Sequence, residues 1–286
     1  MSRIDEALGR VGGADQASLI PSAPSQTAFQ PAWPIASDEL EPARGRDGEL
    51  RGPTGTPVGF SSAWSQRLVN SAQSEPALVE QFMRLAGTLH KARRMNGLRS
   101  VMVTSATPGD GKTLTAINLA LVLSGSFNST VLLVDADLRR PSIPSVVDFS
   151  QEAGLSEALS AKTEQKLALV RIAPRLTLLP AGRPISNSIE AVTSPRMQQI
   201  LNEATNRYDW VILDAPPVGI TTDARLLAEF VGGTLFVVRA GKSQHGDVTK
   251  AITALGHDQI LGVVLNGTAQ QADVGYYGEP RQDEKS

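Results

Sequence analysis

Short apolar runs rich in β-branched residues recur at 101–104, 131–134, 176–179, 210–213, 235–238 and 260–265. They are near-continuous rather than alternating, the pattern expected of strands covered on both faces. Between them, 77–94, 114–123, 196–205 and 248–255 carry apolar residues at helical spacing. This alternation predicts an α/β fold: a doubly wound, mostly parallel sheet with helices on both faces. All parallel strands then end on one edge, where a ligand binds.

The pattern changes at both ends. Eight of the 18 prolines fall at or before Pro76, among many Ser, Gly and Gln residues. Such a stretch buries too little apolar surface to offset its ordering entropy, so 22–74 reads as a flexible tether. Before it, Ser2 and Asp5 have capping-box-like spacing, and Ile4, Ala7, Leu8 and Val11 share one helical face. The two readings there are a short helix that docks on a partner and a frayed terminus. After Gly267 the chain is polar and aperiodic and reads as a mobile tail. The expected organisation is 1–75, helix and tether; 76–267, the α/β domain; and 268–286, the tail.

Composition removes several functions. The chain is 41% hydrophobic and 20% charged with a formal net charge of −2, so no broad basic surface for nucleic acid is expected. There is no cysteine, which excludes disulfides, iron–sulfur clusters and thiolate zinc sites. His90, His245 and His257 are scattered, so a histidine metal centre is not expected either. No apolar run reaches the roughly 18–20 residues that span a bilayer, and the first residues lack the apolar core of a signal peptide. A cytoplasmic protein is expected, with no direct membrane insertion and any membrane recruitment through a partner.

Three strand ends carry the chemistry. The first strand runs into Ala106-Thr-Pro-Gly-Asp-Gly-Lys-Thr113 and a helix follows, the context a phosphate-binding loop requires, with Ala in place of the first glycine. Gly109 and Gly111 let backbone N–H groups curl around phosphate oxygens, and the helix adds its positive N-terminal end. Contacts to ATP are expected across Gly109, Asp110, Gly111, Lys112, Thr113 and Leu114. Lys112 reaches the β- and γ-phosphates, and the Thr113 hydroxyl is a ligand for Mg²⁺. The second strand ends with Asp135, Asp137 and Arg139. If that strand neighbours the first, both carboxylates lie near the phosphates, one for the metal's shell and one to take a proton from an attacking hydroxyl. Arg139 meets phosphate or pairs with a carboxylate. The 210–213 strand ends in Asp214, the acidic residue that accompanies such a loop and holds Mg²⁺.

Residues 105–113, 134–141 and 214–217, which hold these motifs, resemble the three nucleotide motifs of the bacterial tyrosine kinases linked to exopolysaccharide and capsule production. The likeness extends to 80–89, 154–159, 179–183, Thr222-Asp-Ala224 and 262–266. The opening residues 2–8 resemble the stand-alone, exosortase-associated autokinases of that family. The resemblance implies a P-loop nucleotide-binding fold of the deviant Walker A type. It implies that Lys112 and Thr113 bind phosphate and metal, that Asp135 and Asp214 hold Mg²⁺, and that Asp137 acts on the tyrosine hydroxyl. It also implies that Asn266 contacts adenine; the residues alone equally suit a turn before Gly267.

The family's acceptor is a tyrosine cluster in the C-terminal tail, phosphorylated between neighbouring copies. Here Tyr276 and Tyr277 are the candidates, against the reading that they are solvated tail residues; Tyr208 is expected to be structural. The partner implied is a membrane polysaccharide co-polymerase that activates the kinase. A homo-oligomer is implied as well, but Glu80 is followed by Met83 and Ala86 where the family's ring motif has arginines, and Arg84 is displaced by one place. On a helix that turns the guanidinium by about 100°. Phe82, Leu85 and Leu89 either pair copies or face the core.

Two other functions fit parts of the pattern. One is a non-catalytic, ATP-gated regulatory module of the export complex. The other is a partition-type ATPase, whose loop starts with Lys-Gly-Gly where this chain has Thr107-Pro108-Gly109.

Overall fold

The computed structural model describes residues 57–71, 73–149, 153–161 and 167–268. In chain order the elements are β1 (Gly59–Phe60), α1 (Pro76–Asn96), β2 (Ser100–Ser105), α2 (Lys112–Gly125), β3 (Val131–Asp135), β4 (Val147–Asp148), α3 (Leu155–Ser160), β5 (Val170–Ala173), β6 (Leu176–Leu179), α4 (Ser188–Val192), α5 (Pro195–Arg207), β7 (Trp210–Asp214), α6 (Asp223–Ala228), β8 (Thr234–Arg239), α7 (His245–Leu255) and β9 (Ile260–Asn266). The six predicted strands and four predicted helices are all present, each within a few residues of its expected bounds.

Seven strands form one sheet in the order β5-β6-β3-β7-β2-β8-β9. Every pairing in it is parallel except β5 with β6. The first two predicted strands are therefore not neighbours: β7 lies between β2 and β3. Strand alternation divides the core between two faces. Val101, Val103, Leu133 and Ile212 pack with α1 and α2, while Met102, Leu132, Val211 and Leu213 pack with the helices of the opposite face. Helix α2 is apolar nearly all round because it is buried between the sheet and α1, and even Asn118 is 2% exposed. Helix α5, by contrast, is amphipathic. Pro195 begins it, the Ser194 hydroxyl accepts from the Met197 N–H at 3.2 Å, and Met197, Ile200, Leu201 and Ala204 are buried along one stripe.

Two expectations need correction. The last predicted strand is not covered on both faces: in β9, Leu261, Val263 and Leu265 are 42, 53 and 59% exposed, because β9 is an edge strand. The flexible tether does not extend to residue 74. Residues 57–71 are built into the domain through the β1–β4 ribbon and a 3₁₀ turn at Ser62–Arg67. Leu68 is 1% exposed, the Val69 N–H donates to Asn118 Oδ1 at 3.0 Å, and Trp64 Nε1 donates to the Ser145 carbonyl at 2.9 Å. Phe60, Trp64, Leu68 and Val69 supply the apolar area that the proline-rich composition conceals. Truncating a side chain as buried as Leu68 to Ala costs about 2–5 kcal/mol.

On α1, Phe82 and Leu89 are buried and Leu85 packs against the same core, so these residues face inward. Arg84 pairs with Glu80 on the exposed side of the helix. The proposed helix over residues 2–11 and the tail with Tyr276 and Tyr277 lie outside the described residues. Among the described residues, no helix is long and apolar enough to cross a membrane.

Candidate active site

The sheet topology gathers the chemistry-bearing residues at one edge. β2 ends at Ser105, and the chain makes a tight loop before α2 opens at Lys112. Gly109 and Gly111 have φ of +81° and +101°, in the left-handed region where a side chain would be strained. This curl leaves backbone N–H groups around the start of α2, whose positive end faces the same space. Asp110 is fully buried and its carboxylate is used within the loop and its support. It accepts from the Thr107 N–H at 3.0 Å, the Thr107 hydroxyl at 3.1 Å and the Ser243 hydroxyl at 2.9 Å. What Asp110 can offer a phosphate is its backbone N–H, not its side chain, which keeps a negative charge turned away from the cradle.

The loop is also held from β8 and β9. Arg239 Nη1 donates to the Gly109 carbonyl and Asn266 Nδ2 to the Asp110 carbonyl, both at 2.8 Å. Asn266 ends β9 beside Gly267, where the chain bends with φ of +72°. Its amide also braces the loop, a role neither sequence reading contained.

Beside the loop, Lys112, Asp135, Asp137 and Asp214 meet although three different strands deliver them. Lys112 Nζ donates to Asp137 Oδ2 at 3.2 Å and Asp214 Oδ1 at 3.4 Å. The Thr113 hydroxyl donates to Asp214 Oδ2 at 2.7 Å and lies 2.7 Å from the Ser142 hydroxyl. Asp135 pairs in register with Asp214 across β3 and β7. One Asp135 oxygen accepts from the Asp137 N–H at 3.3 Å, and the other is buried without a partner.

One ammonium thus faces three carboxylates out of water. Burial works to lower the Lys112 pKa, but the charges of Asp214, Asp137 and Asp135 outweigh it and raise it. Burial, then the Asp214 charge, pushes Asp135 well above its ordinary value; burial raises Asp214 too, against the pull of Lys112. The cluster is short of positive charge and has an oxygen without a bond. Among the described residues, no group of three or more His, Cys, Asp or Glu forms a cage of its own for a metal. The donors present still fit Mg²⁺, which takes one or two carboxylates and completes its shell with water and substrate phosphate oxygens.

Arg139 makes the carboxylate pairing that its sequence position allowed. Its Nε donates to Asp223 Oδ2 at 3.1 Å, and the same oxygen accepts from the Ser188 hydroxyl at 2.6 Å. Sequence reasoning assigned no role to Asp223, Ser188, Ser142 or Ser243; the Thr222-Asp-Ala224 likeness was the one signal pointing to Asp223. A groove of about 1710 Å³ joins Gly109, Lys112, Thr113, Asp137, Arg139 and Asn266. Tyr208 stands apart, buried in the core, where burial raises its pKa against a hydrogen bond to Thr177.

An AAA domain model matches residues 99–229. The tyrosine-protein kinase YwqD of Bacillus subtilis (strain 168) is 33% identical over 214 residues, covering 72% of this chain and 90% of that protein. The chain belongs to the bacterial tyrosine-kinase family. The tyrosine-protein kinase etk of Escherichia coli (strain K12) is 34% identical over 201 residues, 69% of this chain but 28% of that longer protein. The solved kinase domain of E. coli ETK matches with a TM-score of 0.64 and 33% identity, over 71% of this kinase and 80% of that chain. The chimerical protein CapA2B2 matches with a TM-score of 0.61 and 26% identity, over 73% and 93%. This kinase is therefore a protein-tyrosine kinase with an ATP-binding loop of the P-loop type, and the partition-type alternative falls away.

Proposed function

We propose that this kinase is an autokinase regulating exopolysaccharide production. It transfers the γ-phosphoryl group of ATP to Tyr276 or Tyr277 of a neighbouring copy. The observation that carries the reading is the buried Lys112 ammonium, within 3.4 Å of carboxylates from two strands, with Thr113 bonded to one of them. In the proposed reaction the backbone N–H groups of 109–114 and Lys112 hold phosphate oxygens, and Asn266 borders the adenine. Thr113, Asp135 and Asp214 would hold Mg²⁺, which when bound neutralises phosphate charge. Lys112 exchanges its carboxylate partners for phosphate oxygens as ATP enters. That exchange frees Asp137 Oδ2 to accept the tyrosine proton as the phenolic oxygen bonds to phosphorus and the bond to ADP breaks.

A membrane polysaccharide co-polymerase is the proposed activator, recruiting this cytoplasmic kinase to the inner face of the membrane; kinship with the family supports that partner class. Transfer between copies needs an oligomer. Because Glu80 is paired with Arg84 on its own helix, contacts other than the usual ring motif are proposed to form it.

Intact-mass measurement and phosphosite mapping of the full chain, incubated with Mg-ATP and the co-polymerase's cytoplasmic segment, test the reading. Phosphate on Tyr276 or Tyr277 is expected, and the double change to Phe should abolish it. Phosphate elsewhere overturns the acceptor assignment, and none at all leaves an ATP-gated regulatory module.

A further inference from the structure

Asp223 is a deeply buried carboxylate beside the groove that the proposed reaction leaves unused. It opens α6 and is 1% exposed. Its side chain reaches across to two other elements: Oδ2 accepts both the Ser188 hydroxyl, from the start of α4, and Arg139 Nε, from the loop after β3. Oδ1 is buried without a partner. A buried carboxylate with an unbonded oxygen is unfavourable unless its charge serves a cation, and Arg139 is the cation it meets.

The geometry of that pair matters more than its charge. A guanidinium is planar with five N–H donors, and a bond through Nε fixes the plane while leaving the terminal nitrogens to serve another acceptor. Among the described residues the Arg139 terminal nitrogens have no hydrogen-bond partner. Its side chain is 37% exposed and lines the groove with Lys112 and Asp137, two positions before it. Lysine could not substitute, because a single ammonium cannot offer a fixed edge to Asp223 and a second edge to the groove.

We propose that Asp223, braced by Ser188, is a positioning residue. It grips Arg139 by Nε so that the terminal guanidinium nitrogens stay presented to the phosphoryl group in transfer, where negative charge spreads over three oxygens. This rests on the phosphoryl-transfer reading of the groove. Arg139 then contributes more to the transition state than to bound nucleotide, and Asp223 contributes only through Arg139.

The test measures binding of Mg-ADP, and of Mg-ADP with aluminium fluoride as a mimic of the transferring group, to the full chain by calorimetry. Arg139→Ala and Asp223→Ala should each weaken the aluminium-fluoride complex about 10- to 100-fold while moving Mg-ADP affinity less than about threefold. The double variant should be no worse than either single one, and Asp223→Glu should recover most of the loss. Additive effects, or equal loss for both ligands, would overturn the proposal. If Asp223→Ala fails to fold by thermal melting, Arg139→Lys replaces it: that variant keeps the positive charge beside Asp223, and wild-type affinity for the mimic sinks the idea. Lys112→Ala separates the two readings. Should it bind the mimic as wild type does, the site assignment itself is wrong; should it alone lose binding, only the role of Asp223 fails.

Discussion

The two ends of β7 carry an aspartate each, and their surroundings are opposite. At the start, Asp209 has both oxygens satisfied: Oδ1 accepts from Arg93 Nη2 at 2.5 Å, and Oδ2 from the Thr130 N–H and hydroxyl, each at 2.9 Å. Burial pushes its pKa up, but these bonds outweigh it and bring it below the ordinary value. At the finish, Asp214 and its register partner Asp135 share one ammonium with Asp137, and both are raised. One end is a closed structural knot tying α1, β3 and β7 together. The other is assembled with too little positive charge for itself, which is what a site for a cation and an anionic substrate requires. Residue type does not separate the two; completeness of hydrogen bonding does.

That contrast can be broken by substitution, and the largest effect belongs to the incomplete end. Lys112→Ala should reduce phosphoryl transfer at least about 100-fold, measured as initial rates with Mg-ATP, because no other loop residue supplies that charge. Asp137→Asn should lower transfer by about 100-fold while nucleotide affinity, read by fluorescence titration, moves less than about threefold. At the complete end, Asp209→Ala should leave the rate per folded molecule unchanged. It should cost about 1–2 kcal/mol, a melting-temperature drop of a few degrees by calorimetry, since half-exposed groups contribute modestly.

The smallest effect separates the two aspartates by the sign of their pH dependence. Without nucleotide or metal, Asp135→Asn should stabilise the protein by about 1 kcal/mol at neutral pH. Its native pKa lies above the ordinary 3.8, so the folded chain keeps this proton after the unfolded chain has released it. The favourable contribution is complete below about pH 3.8 and is lost as pH rises through the elevated value. The gain from Asn should therefore vanish near pH 4 and grow toward neutrality in chemical denaturation. Asp209, lowered from 3.8, has the reverse sign: its stabilisation is present above that value and disappears as pH falls through the lowered one.

Much of this site is legible because it is local. A strand, a glycine-bearing turn and a helix are adjacent in sequence, and apolar runs ending in Asp are read directly. Strand order is not, since β2, β3 and β7 are similarly apolar and only long-range packing puts β7 between the others. Asp223 is hidden for the same reason. Beside Thr222 it reads as an ordinary helix start, while its partners lie 35 and 84 positions away. Proline and serine content masks the packing of 57–71, where a few apolar side chains outweigh the composition around them. Conversely, the exposed face of β9 carries the same apolar residues as a covered strand, so sequence cannot tell an edge from a centre.

The side-by-side register of Asp135 and Asp214 limits how this scaffold can be rebuilt. Strand side chains alternate faces, so removing a single residue within β7 would swing its terminal carboxylate to the other side of the sheet and part it from Thr113. Length changes in the connection over 182–187 leave that parity untouched. An engineer has more freedom of length in that connection than in counting residues along the two strands beneath the groove.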